Sequence, residues 1–264
     1  MFLTITSWNM QGAGYDKLNA MCNVYADFKD TNVLLLQETG NPKNPNGIQQ
    51  GESYTIFQKT FKCVAVCDDE TAKYKRCTTA ILIDESIMGK FRQCYTLGKA
   101  GSRPAIFAIF NDIVVGTIHA PAVAGGDLVY LKNIYANINY ECEKHGLPWV
   151  FMGDMNVDLS KSFPFTLCDG GTYPRYDYPN EIWIEKTSRT DVRCLIMYPK
   201  ENTQGPNGDR TSKLDFAFLS DRLSDRLKQY PINRVFNKMV LKSITDKEYL
   251  SDHNMIGITI FGPF

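Results

Sequence analysis

Short apolar runs of strand length recur along this chain, and one after another they stop at an Asn, Glu, His or Asp side chain. Residues 2–8 (FLTITSW) alternate with a period of two and are closed by Asn9, and the run 33–36 stops at Gln37-Glu38. Residues 113–118 deliver His119, and 149–152 run into Gly153-Asp154 with Asn156 close behind. The last run, 255–260, reverses the order and begins just after Asp252-His253. A charged group at the end of a buried strand is costly unless it has a partner. If these strand ends lie together at one edge of a sheet stack, the polar groups converge on a single cleft and partner one another.

The remaining patterns limit the architecture. Residues 105–110 and 113–118 flank Asn111-Asp112, a two-residue hairpin turn, and 214–219 (LDFAFL) alternate with Asp215 embedded. Helical spacing covers 16–29, and also 127–145, where Gly146 provides the stop. Strands outnumber helices and hairpins are present, so two sheets packed face to face with helices outside fit, whereas a parallel-only sheet does not. Residues 169–180 and 200–212, rich in Gly, Pro, Asn and Tyr, read as surface loops. No linker divides the 264 residues, which predicts one domain over 1–264. With 44% hydrophobic and 22% charged residues there is ample material for a core.

Net charge is zero, so the whole molecule is not an obvious polyanion binder. Residues 186–247 nevertheless hold thirteen Lys/Arg against seven Asp/Glu, which suits either a basic groove for a phosphodiester backbone or a solvated mixed-charge surface. The eight cysteines form no CxxC pair and no zinc spacing. They read as apolar fillers in a reducing compartment or, in a secreted protein, as a few disulfides among Cys63, Cys67, Cys77 and Cys94. The start MFLTITSWN lacks the form of a signal peptide, and no run approaches the roughly 20 apolar residues of a membrane span.

The strand-end groups are hard oxygen donors and imidazoles, with no thiol among them. Such oxygens suit magnesium, which takes one or two carboxylates together with water and substrate phosphate. Two histidines on different strand ends suit a general base and a general acid near neutral pH. His145, in the last turn of a helix where a cation is favourable, reads as structural.

SWNMQG (7–12), LLLQETG (34–40), SRP (102–104), IHA (118–120), GDMN (153–156), KLDF (213–216) and SDHN (251–254) stand in the order found in the endonuclease/exonuclease/phosphatase superfamily, whose archetype is deoxyribonuclease I. Within that superfamily, residues 102–127 most resemble the catalytic B subunit of cytolethal distending toxins. The resemblance implies a four-layer α/β sandwich, two mixed β-sheets face to face with helices outside. It also implies hydrolysis of phosphodiesters that depends on Mg2+, with Mn2+ or Ca2+ as alternatives, here as an endonuclease nicking DNA.

By the same resemblance, Glu38, Asn9 and Asp252 match metal positions, and Asp154 and Asn156 orient the attacked phosphate or the attacking water. His253 matches the general base with Asp215 as the carboxylate that holds its ring, and His119 matches the second histidine, at the leaving oxygen or the phosphorane. Arg103, with Gln11, matches substrate contacts. A toxin subunit further implies carrier subunits as partners and secretion toward a host nucleus. YTIFQK (54–59) offers no carboxylate to support His119, leaving Glu52, Asp68, Asp69 and Glu70 as nearby candidates, and 60–90 match no part of the pattern. A phosphoinositide phosphatase of the same fold is the second enzyme reading, although Val157-Asp158 and Ala217-Phe218 replace the tryptophan-and-arginine signatures of inositol 5-phosphatases. A catalytically dead binding module is the third, and it would have lost a member of this set.

Overall fold

The structure is a computed structural model and describes residues 2–12, 14–24, 29–41, 46–67, 78–97, 103–122, 128–158, 182–186, 193–197, 212, 214–223, 251, 253 and 255–262. In chain order the elements are β1 (Phe2–Asn9), α1 (Gly14–Val24), β2 (Val33–Gln37), β3 (Ser53–Ile56), β4 (Lys59–Cys67), β5 (Thr79–Asp84), β6 (Phe91–Leu97), β7 (Ala105–Phe110), β8 (Val114–His119), α2 (Leu128–His145), β9 (Trp149–Asp154), β10 (Ile182–Lys186), β11 (Arg193–Met197), β12 (Asp215–Ser220) and β13 (Ile256–Phe261). A six-stranded sheet runs β13-β1-β2-β5-β4-β3, and a seven-stranded sheet runs β10-β11-β12-β9-β8-β7-β6.

Alternation within each strand builds three apolar layers. Inward residues such as Ile5, Leu35, Val115, Met152 and Leu219 fill the space between the sheets. Outward residues of β8 and β9 meet Leu131, Ile134, Tyr135, Ile138 and Cys142 of α2, whose spacing keeps them on one helix face. Outward residues of β1 and β2 pack with Leu18 of α1 on the other side. The order of layers is therefore helix, sheet, sheet, helix, the four-layer sandwich expected. Among the described residues no helix is long and apolar enough to cross a membrane.

One helix boundary differs from the sequence reading. Helix α1 starts at Gly14 rather than Asp16, because the backbone N–H of Tyr15 is already taken by Asn46 O (2.9 Å), which anchors the first turn. Helix α2 stops as expected at Gly146, where φ is +63° and a side chain would be strained. Residues 60–90, in which the sequence reading found no motif, supply most of β4 and all of β5, and β5 pairs with β2 along its length. No disulfide links Cys63, Cys67 and Cys94 to one another, and Cys142 forms none with them. Asp252, Cys77 and the loops 169–180 and 200–211 lie outside the described residues.

Strand direction decides where the polar ends go. The only parallel pairs among the described strands are β1 with β2 and β8 with β9, and each ends in a polar group. Strand β12 runs antiparallel to β9 with Asp215 opposite Asp154, and β13 runs antiparallel to β1 with Ile256 opposite Ser7. The beginnings of β12 and β13 thus lie beside the ends of β1, β2, β8 and β9. This is why the last strand is preceded by ionisable residues while the others are followed by them.

Candidate active site

The stripe that fills the inter-sheet core continues upward into the site. On β8 the inward positions are Val115, Thr117 and His119; on β9 they are Val150, Met152 and Asp154; on β12 they are Leu219, Ala217 and Asp215. Apolar side chains therefore give way to ionisable ones at one sheet edge. Three loops leaving this edge turn through the left-handed region at non-glycine residues: Gln11 (φ 52°), Glu38 (φ 50°) and Asn156 (φ 49°). Each such turn costs roughly 1–3 kcal/mol and persists only where neighbours over-determine it. Here Met10 N donates to Gln37 O (2.8 Å), Ala120 N to Asp154 O (2.8 Å) and Met155 N to Leu214 O (2.9 Å).

Asp154 stands at the centre. Its Oδ2 accepts from Asn9 Nδ2 (2.9 Å), and its Oδ1 accepts from the backbone N–H of Asn156 (2.9 Å). His119 Nε2 lies 3.7 Å and His253 Nε2 lies 3.6 Å from the same Oδ2, and His119 Nε2 is 3.6 Å from Glu38 Oε1. His253 Nδ1 donates to Asp215 Oδ2 at 2.8 Å, which leaves Nε2 as the ring nitrogen turned toward Asp154. Arg103 Nη1 donates to His119 Nε2 (2.8 Å) and to Ala120 O (2.8 Å), and Asn156 Nδ2 shares that carbonyl (2.7 Å). A guanidinium cannot accept, so His119 Nε2 carries a lone pair in this arrangement.

The structure thus brings together Asn9, Glu38, Arg103, His119, Asp154, Asn156, Asp215 and His253. Gln11 is half-buried and gives its backbone N–H to Asn9 Oδ1 (3.0 Å), which orients the carboxamide. Glu52 is exposed at the start of β3, and Asp68–Glu70 lie outside the described residues. Two supports were not singled out from sequence. Ser251 donates to Asn9 O (2.7 Å) and accepts from His253 N (3.1 Å), and the Trp8 indole N–H holds His253 O (3.2 Å). Both belong to the motifs SWN and SDH, so adjacency to a candidate ligand was the available signal.

Burial pushes the Asp154 carboxyl up to about 6; the His253 ring opposes the rise and the Asp215 carboxylate adds to it. The folded chain therefore holds this proton where the unfolded chain releases it. The stabilisation is complete below the ordinary value of 3.8 and is lost as pH rises through about 6. In the metal-free protein, Tm is expected to fall between pH 4 and pH 7 by more than in Asp154→Asn, as checked by parallel thermal melts. Equal slopes would remove Asp154 as the cause.

The donor set suits a hard divalent cation. Glu38 and Asp154 offer carboxylate oxygens, Asn9 offers a carboxamide oxygen, and no thiol intrudes. Asp154, Asp215 and His253 also place ligand-type atoms within 4.8 Å of one another. In that group the Nδ1–Oδ2 bond already joins His253 to Asp215, an arrangement suited to proton handling.

The sequence profile of the Endonuclease/Exonuclease/phosphatase family matches residues 6–253. Among solved structures, the Haemophilus ducreyi cytolethal distending toxin resembles this chain with a TM-score of 0.56 at 18% identity, 97% of each chain being covered. A humanized D. rerio TDP2 carrying 14 mutations gives 0.55 at 15% identity, covering 99% of each. An endonuclease/exonuclease/phosphatase family protein from Bacteroides thetaiotaomicron gives 0.54 at 15%, covering 98% of this chain and 95% of that one. At such identities the likeness is one of fold. No match is found among curated proteins.

Proposed function

Since the chain belongs to the Endonuclease/Exonuclease/phosphatase family, we propose that it is a magnesium-dependent phosphodiesterase that nicks DNA, similar to the active subunit of cytolethal distending toxin. The observation that carries this reading is the pair of imidazoles whose Nε2 atoms lie 3.7 and 3.6 Å from one buried carboxylate oxygen, His253 being held by Asp215.

Glu38, Asn9 and Asp252 would hold the cation, which when bound supplies positive charge at the attacked phosphate and orients it. The protein's own groups do the rest. His253 Nε2 takes the proton from a water that Asp154 and Asn156 orient, and the water oxygen attacks phosphorus as the bond to the 3′ oxygen breaks. Asp215 keeps the other ring proton on Nδ1 and stabilises the imidazolium that forms. A phosphate entering beside Arg103 takes over its planar donors, and His119 then faces the phosphoryl and leaving oxygens. A toxin-like role would add carrier subunits as partners.

The test is nicking of supercoiled plasmid with Mg2+ or with EDTA, for the wild type and His119→Gln. Metal-dependent nicking that falls about 10²-fold or more in the variant is expected. A folded wild type that does not nick would overturn the DNase reading. Phosphate release from phosphoinositides would then test the alternative chemistry of the same fold.

A further inference from the structure

One buried polar cluster is used by none of these steps. Gln37 is fully buried on the inward face of β2 in register with Asn9, and its side chain turns down to the layer below the site, where the neighbours toward the core are apolar. Its Nε2 lies 3.1 Å from Leu35 O, 3.1 Å from Ser7 Oγ and 2.6 Å from Thr117 Oγ1. A carbonyl oxygen can only accept, so the amide nitrogen is the end that faces Leu35 O. Leu35 and Ser7 belong to the same sheet as Gln37, whereas Thr117 lies on β8 of the opposite sheet. The shortest of the three contacts is therefore the one that crosses the inter-sheet gap. Gln37 Oε1 meets no donor among the described residues. An apolar side chain would fill this layer without leaving a buried acceptor unmet, so stability alone does not account for an amide here.

Its place in the chain indicates what it holds. Gln37 precedes Glu38, Ser7 lies two residues before Asn9, and Thr117 lies two residues before His119. Ser7 and Thr117 thus each sit one inward position beneath a site residue, while Gln37 stands in register with Asn9 and reaches down to both, with the metal-side donors above one sheet and His119 above the other. We infer that the Gln37–Thr117 hydrogen bond sets the spacing between the two sheets at the floor of the site, making Gln37 and Thr117 positioning residues for the cation held by Glu38 and Asn9. This rests on the phosphodiesterase reading above.

Thr117 offers a clean test. The Gln37 nitrogen has two hydrogens and three oxygens around it, so Thr117→Val leaves both hydrogens satisfied within their own sheet and removes only the bond between the sheets. Valine keeps the shape of threonine, while Thr117→Ser keeps the hydroxyl and loses a methyl group. Manganese(II) binding by titration calorimetry, the Tm without metal, and kcat and KM for nicking are measured on all three proteins.

The expected result is an apparent Kd for Mn2+ raised about 10- to 100-fold in Thr117→Val, with kcat lowered and KM nearly unchanged, while Thr117→Ser stays within about twofold of wild type. A role confined to packing gives the opposite order: valine indistinguishable from wild type, and serine lowering Tm alone. That result overturns the positioning role. A wild type that neither binds Mn2+ nor nicks DNA overturns the phosphodiesterase reading, and the positioning role falls with it.

Discussion

His253→Ala is expected to lower metal-dependent nicking by about 10²–10⁴-fold, the range for removing a general base. The loss should fall on kcat, because the ring acts on the water and not on substrate binding. Asp215→Asn is the informative companion. The carboxylate now accepts from Nδ1 at 2.8 Å, whereas an amide can present its own N–H there and move the ring proton to Nε2, the nitrogen that must accept one. Because the two residues work as a unit, the double variant is expected to be no slower than His253→Ala alone. Multiplicative losses would mean that Asp215 acts independently of the ring. More than a tenth of wild-type activity in folded His253→Ala would remove His253 from proton transfer.

The second large effect concerns stability. A methyl group added at Gly153 would stand 1.9 Å from Ile118 O, a backbone atom that the parallel register of β8 and β9 locks in place. Gly153→Ala must therefore push two central strands apart, and a loss of about 3 kcal/mol or more is expected. For a chain of this size that corresponds to a Tm lower by on the order of 10 °C. The same strands carry His119 and Asp154 opposite each other, so nicking should fail before the protein unfolds. Gly116 provides the control. Its methyl would meet the Phe151 ring at 2.2 Å, a side chain and not a backbone atom, and Gly116→Ala is expected to cost less. Similar Tm values for both variants would show that the close strand approach at Gly153 is not limiting.

How much of this was legible beforehand differs from residue to residue. Period-two alternation assigns the inward face of a strand from local sequence alone, so Ile5, Asn9, Val115, His119, Met152 and Asp154 could be placed on core-facing stripes. Ordered motifs then tied Glu38, Asp215 and His253 to that set. Strands β3 to β6 were harder to read, because β3 and β6 lie at sheet edges and their mixed exposure blurs the alternation. Contacts between distant segments were not legible at all. The Arg103–His119 bond, the Gln37–Thr117 tie and the Trp8 support of His253 join residues 16, 80 and 245 positions apart.

The sequence by itself determined the strands that carry the site residues, which face of each is apolar, and which side chains end those faces, because those properties follow from the local period and the side chain's own chemistry. The tertiary structure decided that β1, β2, β8 and β9 end at one edge while β12 and β13 begin there, and that Asp154 lies between two imidazoles. Strand direction and the pairing of distant segments depend on how the whole core is filled, and no local window of sequence carries that information.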